Sequence, residues 1–164
     1  MRIDNAPSGE IRADGLRIGV VTAAFNAPVT DGLKTGAVTY LKEVGAQHLE
    51  IIDAPGAFEL PLIAQALATS GYDAVVCLGA VIEGDTDHYE HVAHRASEGL
   101  MRVQLDTGVP VSFGILTTRK LADALARSGP GRHNKGREAA EAAVRAALIL
   151  RDITPPPSPT ADST

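Results

Sequence analysis

A chain of 164 residues, 45% hydrophobic and 21% charged, has the make-up of one ordinary globular domain with enough apolar mass for its own core. Its formal charge of −5, the absence of Trp and the scarcity of other aromatics give nucleic acid neither an electrostatic footprint nor a stacking platform. The single cysteine, Cys77, excludes an internal disulfide framework; inside an apolar run it reads as a buried packing thiol in a reducing, cytoplasmic setting.

Residues 1–15 are polar, with no apolar leader segment, and are expected to form an N-terminal extension. Within it, "GEIRADG" is a candidate extra strand for the edge of a neighbouring subunit. Residues 16–23, "LRIGVVTA", predict a first strand. A helix follows over 29–45, its face drawn by Leu33, Ala37, Leu41 and Val44 and its stop by Gly45. "HLEIID" (48–53) predicts a second strand. A helix from about Glu59 to Gly71 carries Pro61 in its first turn. "DAVVCLGAVI" (73–82) predicts the third strand, and Val92, Ala96, Leu100 and Val103 mark the buried face of a helix over 88–106. "PVSFGILTT" (110–118) predicts the fourth strand. Two Ala-rich helices, 120–129 and 135–153, flank "PGRHN", and the Pro-, Ser- and Thr-rich residues 154–164 are expected to be disordered. No apolar run approaches the roughly 18 residues of a membrane span.

The first and third strands are almost continuously apolar, as strands covered on both faces are. Alternating strands and helices joined by right-handed crossovers predict an α/β fold: a flavodoxin-like three-layer sandwich with a central four-stranded parallel sheet flanked by helices, spanning residues 16–153.

In such sheets ligands bind beyond the carboxyl ends of the strands. Four segments converge there: "AFN", "PGAFE", "EGDTDH" and "LTTRK". In "GDTDH", Gly84 permits a sharp turn, Asp85 and Thr86 are good helix N-caps, and a helix start offers N–H groups and a positive dipole end to a phosphate. His88 would sit at its mouth as a proton donor and acceptor; alternatively the acids only cap the helix and His88 is a surface residue. His88, His91 and His94, spaced by three, fan over roughly 120° of helix surface, too wide for one metal ion, and no metal-site motif is present. Phe25 is either a core residue or a platform for a planar heterocycle. Glu59 either caps a helix or accepts from ligand hydroxyls. Arg127 and Lys135 are either solvated charges or anion partners. No dinucleotide or nucleoside-triphosphate loop motif occurs.

Together, Phe25-Asn26, "PGAFELP" (55–61), "GAVIEGDTDHYEHV" (79–92), "PVSFGILTT" (110–118) and "RSGPGRHNKG" (127–136) resemble the 6,7-dimethyl-8-ribityllumazine synthase family, in unbroken order from about residue 10 to residue 150. The resemblance implies a transferase of riboflavin biosynthesis. It would condense 5-amino-6-(D-ribitylamino)uracil with 3,4-dihydroxy-2-butanone 4-phosphate, releasing phosphate and water, with neither metal nor redox cofactor. It further implies that Phe25, beside Asn26, stacks on the pyrimidine. The 57–59 backbone (Ala57, Phe58) and Glu59 would hold the ribityl chain, and backbone groups of Ala80, Val81 and Ile82 would meet the pyrimidine edge. Asp85 and Thr86 would lie at the phosphate with Arg127 as its cation, and His88 would shuttle protons. Phe113 and Lys135 would enter from a neighbouring subunit. A homo-oligomer is implied, a pentamer or a capsid built of pentamers, with riboflavin synthase as a candidate partner and no nucleic acid or membrane. The other readings are an archaeal-type riboflavin synthase and a non-catalytic shell-forming or lumazine- or flavin-binding homologue. One departure stands out: Glu83 occupies a position that is usually basic in the family, "VIEG" for "VIRG" or "VIKG". This should weaken the site's attraction for an anion unless Arg127 and Arg119 compensate. Arg132 and His133 replace residues usually small in the loop before "NKG", a loop whose length matches the capsid-forming members.

Overall fold

The computed structural model describes residues 9–154. Four strands, β1 (Arg17–Ala23), β2 (His48–Ala54), β3 (Ala74–Ile82) and β4 (Val111–Thr118), form one parallel sheet in the order β2-β1-β3-β4. The helices are α1 (Ala27–Glu43), α2 (Leu60–Ala68, entered through a 3-10 turn at Ala57–Glu59), α3 (His88–Thr107), α4 (Leu121–Ser128) and α5 (Lys135–Ile153). This is the flavodoxin-like three-layer sandwich that the alternation of elements predicts.

The period-two alternation of each strand sorts its side chains between two cores. Ile18 and Val20 of β1, with Val76 and Leu78 of β3, pack under α1 and α5 against Leu33, Leu41 and Val144. Val21 and Ala23, with Val75 and Cys77, pack under α2 and α3 against Leu60, Ala96 and Leu100. Burial on both faces explains why β1 and β3 lack the polar alternation of a one-sided sheet. Cys77 is fully buried, and loss of water around it pushes its thiol pKa up to about 12, so it is a packing group and no nucleophile.

The helix bounds differ from the sequence reading where local chemistry intervenes. α2 ends at Ala68, three residues before Gly71, because Thr69 and Ser70 turn their hydroxyls onto the last carbonyls: Thr69 Oγ1 donates to Gln65 O at 2.8 Å and Ser70 Oγ to Ala66 O at 2.6 Å. α3 begins at His88, where the sequence reading starts it, but its N-cap residue is Asp87 and not Asp85 or Thr86, one or two residues earlier, and it makes no side-chain cap bond. Residues 9–16 form no strand in the protomer. Ala13 N–H donates to Val44 O at 2.7 Å, and Ala13 and Leu16 are buried at the end of α1. The rest of the expected extension, residues 1–8, lies outside the described residues. So does the expected disordered tail from 155 onward; Thr154 still closes α5 by donating to Leu150 O.

The α4–α5 loop is locked onto α1 by Asn134 and three glycines. Asn134 is 3% exposed. Its Oδ1 accepts from Arg137 N at 3.0 Å as the N-cap of α5, and its Nδ2 donates to Gly32 O, Ser128 O and Gly129 O at 2.9–3.0 Å. A β-carbon on Gly136 would overlap the backbone of Leu33, one on Gly32 would overlap Ser128 O, and one on Gly36 would overlap the Asn134 amide. Backbone cannot retreat as a flexible side chain can. Gly136→Ala is therefore expected to lower the stability of the chain by at least about 2 kcal/mol, the cost of overpacking a tight contact, read as a reduced urea midpoint with an unchanged m-value.

Candidate active site

The sheet order reverses direction between β1 and β3: the chain leaves β1 towards β2 on one side and β3 towards β4 on the other. Crossovers diverge at such a point and leave a crevice at the strands' carboxyl ends. The register sharpens it. β1 pairs with β3 as far as Thr22 opposite Leu78, whereas β3 continues to Ile82, still paired with Thr118 of β4. Residues 80–82 thus outrun β1 and present one unladdered backbone edge to the crevice.

Asn26 closes the inner end of that edge. It is the one non-glycine residue with positive φ among the described residues (φ 62°, ψ 48°), a conformation Asn tolerates better than most. In that pose its Nδ2 donates to Ala80 O at 2.9 Å, tying the β1–α1 turn to β3. The chain then enters α1 with Pro28 in its first turn.

The preceding residue, Phe25, is 71% exposed, and Phe58 is 60% exposed. A core role for Phe25 is thereby excluded. Gly56 lies between the Phe25 ring and the Glu59 carboxylate: a β-carbon there would stand 3.1 Å from Glu59 Oε2 and 3.2 Å from Phe25 Cδ2. The ring, the carboxylate and the bare backbone therefore border one small space. Glu59 is half-buried and makes no side-chain cap bond to α2, so its oxygens are not spent as a helix cap. Ala57, Ala80 and Val81 are buried and Ile82 is half-buried, so these residues can offer a ligand backbone groups more readily than side chains.

After β3, Glu83 N–H donates to Thr118 O at 2.9 Å, which extends the ladder by one bond before the chains part. Gly84, Asp85 and Thr86 are exposed, and α3 starts at the exposed His88 with its first N–H groups free of intrahelical partners by helix geometry. Such donors, at the positive end of a 20-residue helix, favour an anion at the turn.

Phe113, Arg127 and Lys135 lie elsewhere in the protomer. They line a concavity of about 450 Å³ along the open edge of β4, with Thr117 and Glu138. Phe113 is 46% exposed and stands level with Cys77, five residues short of Ile82 along β3. Lys135 Nζ contacts both carboxylate oxygens of Glu138 at 2.9 Å, and Arg127 Nη1 donates to Asp123 O at 2.8 Å. One protomer therefore brings together Phe25, Asn26, the 57–59 segment, the end of β3, the 84–86 turn and His88, and holds Phe113, Arg127 and Lys135 apart from them. A larger concavity of about 690 Å³, between α1 and the 128–137 segment, is lined by none of the predicted site residues; Asn134 and its partners Gly32 and Ser128 form part of its wall. It is crossed by the Arg137–Glu43 ion pair at 2.6 Å, which holds the Glu43 carboxyl below its ordinary pKa.

The sequence offered Arg119 as a charge that could compensate Glu83, and the structure puts the two in contact: Glu83 Oε2 stands 3.4 Å from Arg119 Nε. The two are 36 residues apart in the chain, and only the β3–β4 register makes them neighbours.

A family model described as 6,7-dimethyl-8-ribityllumazine synthase matches residues 15–151, nearly the whole of the described chain. Asn26→Ala is expected to destabilise the chain by about 1–3 kcal/mol, since it loses the bond to Ala80 and strains a β-carbon at positive φ. Asn26→Gly, which keeps the conformation, should cost less; equal urea midpoints for the two variants would count against this account of the turn.

Proposed function

The chain belongs to the 6,7-dimethyl-8-ribityllumazine synthase family, and from that premise we propose that it condenses 5-amino-6-(D-ribitylamino)uracil with 3,4-dihydroxy-2-butanone 4-phosphate to give 6,7-dimethyl-8-ribityllumazine. The observation that carries this reading is the arrangement at the β1–β3 switch point: an exposed Phe25 ring and the Glu59 carboxylate meeting at Gly56, beside the unladdered edge of Ala80–Ile82. A flat heterocycle lies on the ring, its edge meets strand backbone, and its ribityl hydroxyls donate to Glu59.

The phosphate ester is held at the 84–86 turn. The uracil's primary amine attacks the ketone carbon and water leaves as the imine forms. Phosphate then departs by elimination, and the ribityl-bearing nitrogen closes the ring with loss of a second water. Each stage moves protons, and His88, at the mouth of the same turn, gives and takes them. Holding amine and carbonyl in near-attack geometry supplies much of the rate.

The separation of Phe113, Arg127 and Lys135 supports a site completed by a second copy of the chain, with the β4 edge of one protomer set against the switch point of the next. Exposed apolar side chains at Leu62, Met101 and Leu105 of α2 and α3 give a homo-oligomer surface to bury, in keeping with a pentamer or a capsid of pentamers. No helix among the described residues is long and apolar enough to cross a membrane, and the cytoplasm is the compartment proposed. Glu83 was the one feature favouring a non-catalytic homologue, and Arg119 beside it offsets that charge.

Mixing purified protein with the two substrates and following the lumazine chromophore tests the reaction. The wild type should accelerate product formation and its absence would sink the proposal. His88→Ala should lower kcat by about 10- to 100-fold, the low end for a lost acid–base group because positioning survives; an unchanged kcat removes only the role given to His88. Co-expressed His88→Ala and Arg127→Ala chains should form mixed oligomers with more activity than either variant alone. Strictly averaged activity in the mixtures would mean that each site draws on one chain.

A further inference from the structure

Three exposed carboxylates, Glu83, Asp85 and Asp87, lie within five consecutive residues at the turn that would receive a doubly charged phosphate ester. A helix N-terminus alone faces strong local repulsion there, and a cation is needed beside it. Within the same protomer Lys135, against Glu138, and Arg127, against Asp123 O, lie away from the turn at the β4 concavity and would reach a site only from a second copy. Arg119 is differently placed. β3 and β4 stay paired to Ile82 and Thr118, and the Glu83 N–H bond to Thr118 O carries the pairing one step further. Arg119 therefore leaves the sheet alongside the Glu83–Gly84 step, about one strand spacing of 4.8 Å away. It is 87% exposed and meets Glu83 through Nε at 3.4 Å, while the fork geometry of a guanidinium leaves its two terminal nitrogens for a second anion. So exposed an ion pair adds little to folding, and breaking or sharing it costs correspondingly little.

We infer that Arg119 is the cation with which each protomer recognises the phosphate ester at its own 84–86 turn, and that Glu83 sets the affinity by competing for the same guanidinium. The inference rests on the reaction proposed above and adds a specificity-determining pair to it. Arg119 would grip the phosphate equally before and during its departure, and Glu83 acts only through Arg119, so uniform binding puts the pair's signature in KM for one substrate.

The test is steady-state kinetics on the full chain with wild type, Arg119→Ala, Glu83→Gln and the double variant, together with a titration of each protein by inorganic phosphate. Arg119→Ala should raise KM for the butanone phosphate about 3- to 10-fold, the weight of one exposed charge-assisted contact, with kcat and KM for the uracil within twofold. Glu83→Gln should lower the same KM about twofold or more, and that gain should vanish in the Arg119→Ala background, since the carboxylate acts through the guanidinium. Phosphate affinity should follow the same order. Equal KM values and equal phosphate affinities in all four proteins would overturn the inference. So would parallel losses in both KM values and kcat with a lowered melting temperature, which mark a structural pair. If the wild type makes no lumazine but phosphate affinity falls in Arg119→Ala and rises in Glu83→Gln, the proposed reaction fails and the anion pair stands. If phosphate affinity is the same in wild type and Arg119→Ala, the pair fails whatever the activity.

Discussion

The three-residue overhang of β3 beyond β1 organises the site. Parallel strands joined by crossovers must diverge somewhere, and here they diverge between β1 and β3. The unladdered edge of 80–82 would be costly if it were buried without partners. Asn26 satisfies Ala80 O from a left-handed turn, and the remaining edge opens onto the crevice where Phe25, Gly56 and Glu59 meet. An exposed aromatic ring, a carboxylate not spent as a cap and free strand backbone are each unfavourable or neutral for folding. Their concentration at one point is what a ligand would relieve.

A second constraint keeps the opposite layer rigid. Gly32 and Gly36 on α1 and Gly136 on α5 let these helices and the 128–134 loop approach to backbone contact, and Asn134 stitches the approach with four hydrogen bonds. "HNKG" thus divides between two tasks. Asn134 and Gly136 hold the fold, while Lys135 between them faces the β4 concavity. The loop that leads into Lys135 is therefore firmly held, and the shared site proposed above would rely on that, because a contribution across an interface is only as accurate as the element that carries it.

The divided placement of the expected residues also has an electrostatic side. The switch-point group is acidic at its mouth, with Glu83, Asp85 and Asp87 close in sequence, whereas Arg127 and Lys135 lie on the other edge of the sheet. An anionic substrate would draw on both only when two edges meet. Arg119 differs in belonging to the acidic group's own protomer, brought there by strand pairing.

Much of this was legible in the chain. Continuous apolar runs marked β1 and β3 because both of their faces are covered, and the 3–4 spacing of Leu33, Ala37 and Leu41 marked α1 because a helix on a sheet buries one stripe. Helix ends were read less well. Thr69 and Ser70 stopped α2 early by bonding its carbonyls, a choice between near neighbours that residue preferences do not rank; α3 started at His88 as read, with its cap at Asp87 and not at Asp85 or Thr86. Phe25 could be core or platform by sequence, and only its position past the end of β1 left it exposed. The Asn26–Ala80 bond, across 54 residues, was invisible for the same reason, and Arg119 was legible only as a charge that could offset Glu83, without the contact between them. Local pattern decides which segments become strands and helices, because periodicity and propensity act within a few residues. Which distant residues share a crevice, and which stay on the far edge, is decided by strand order and register, and those exist only once the sheet has formed.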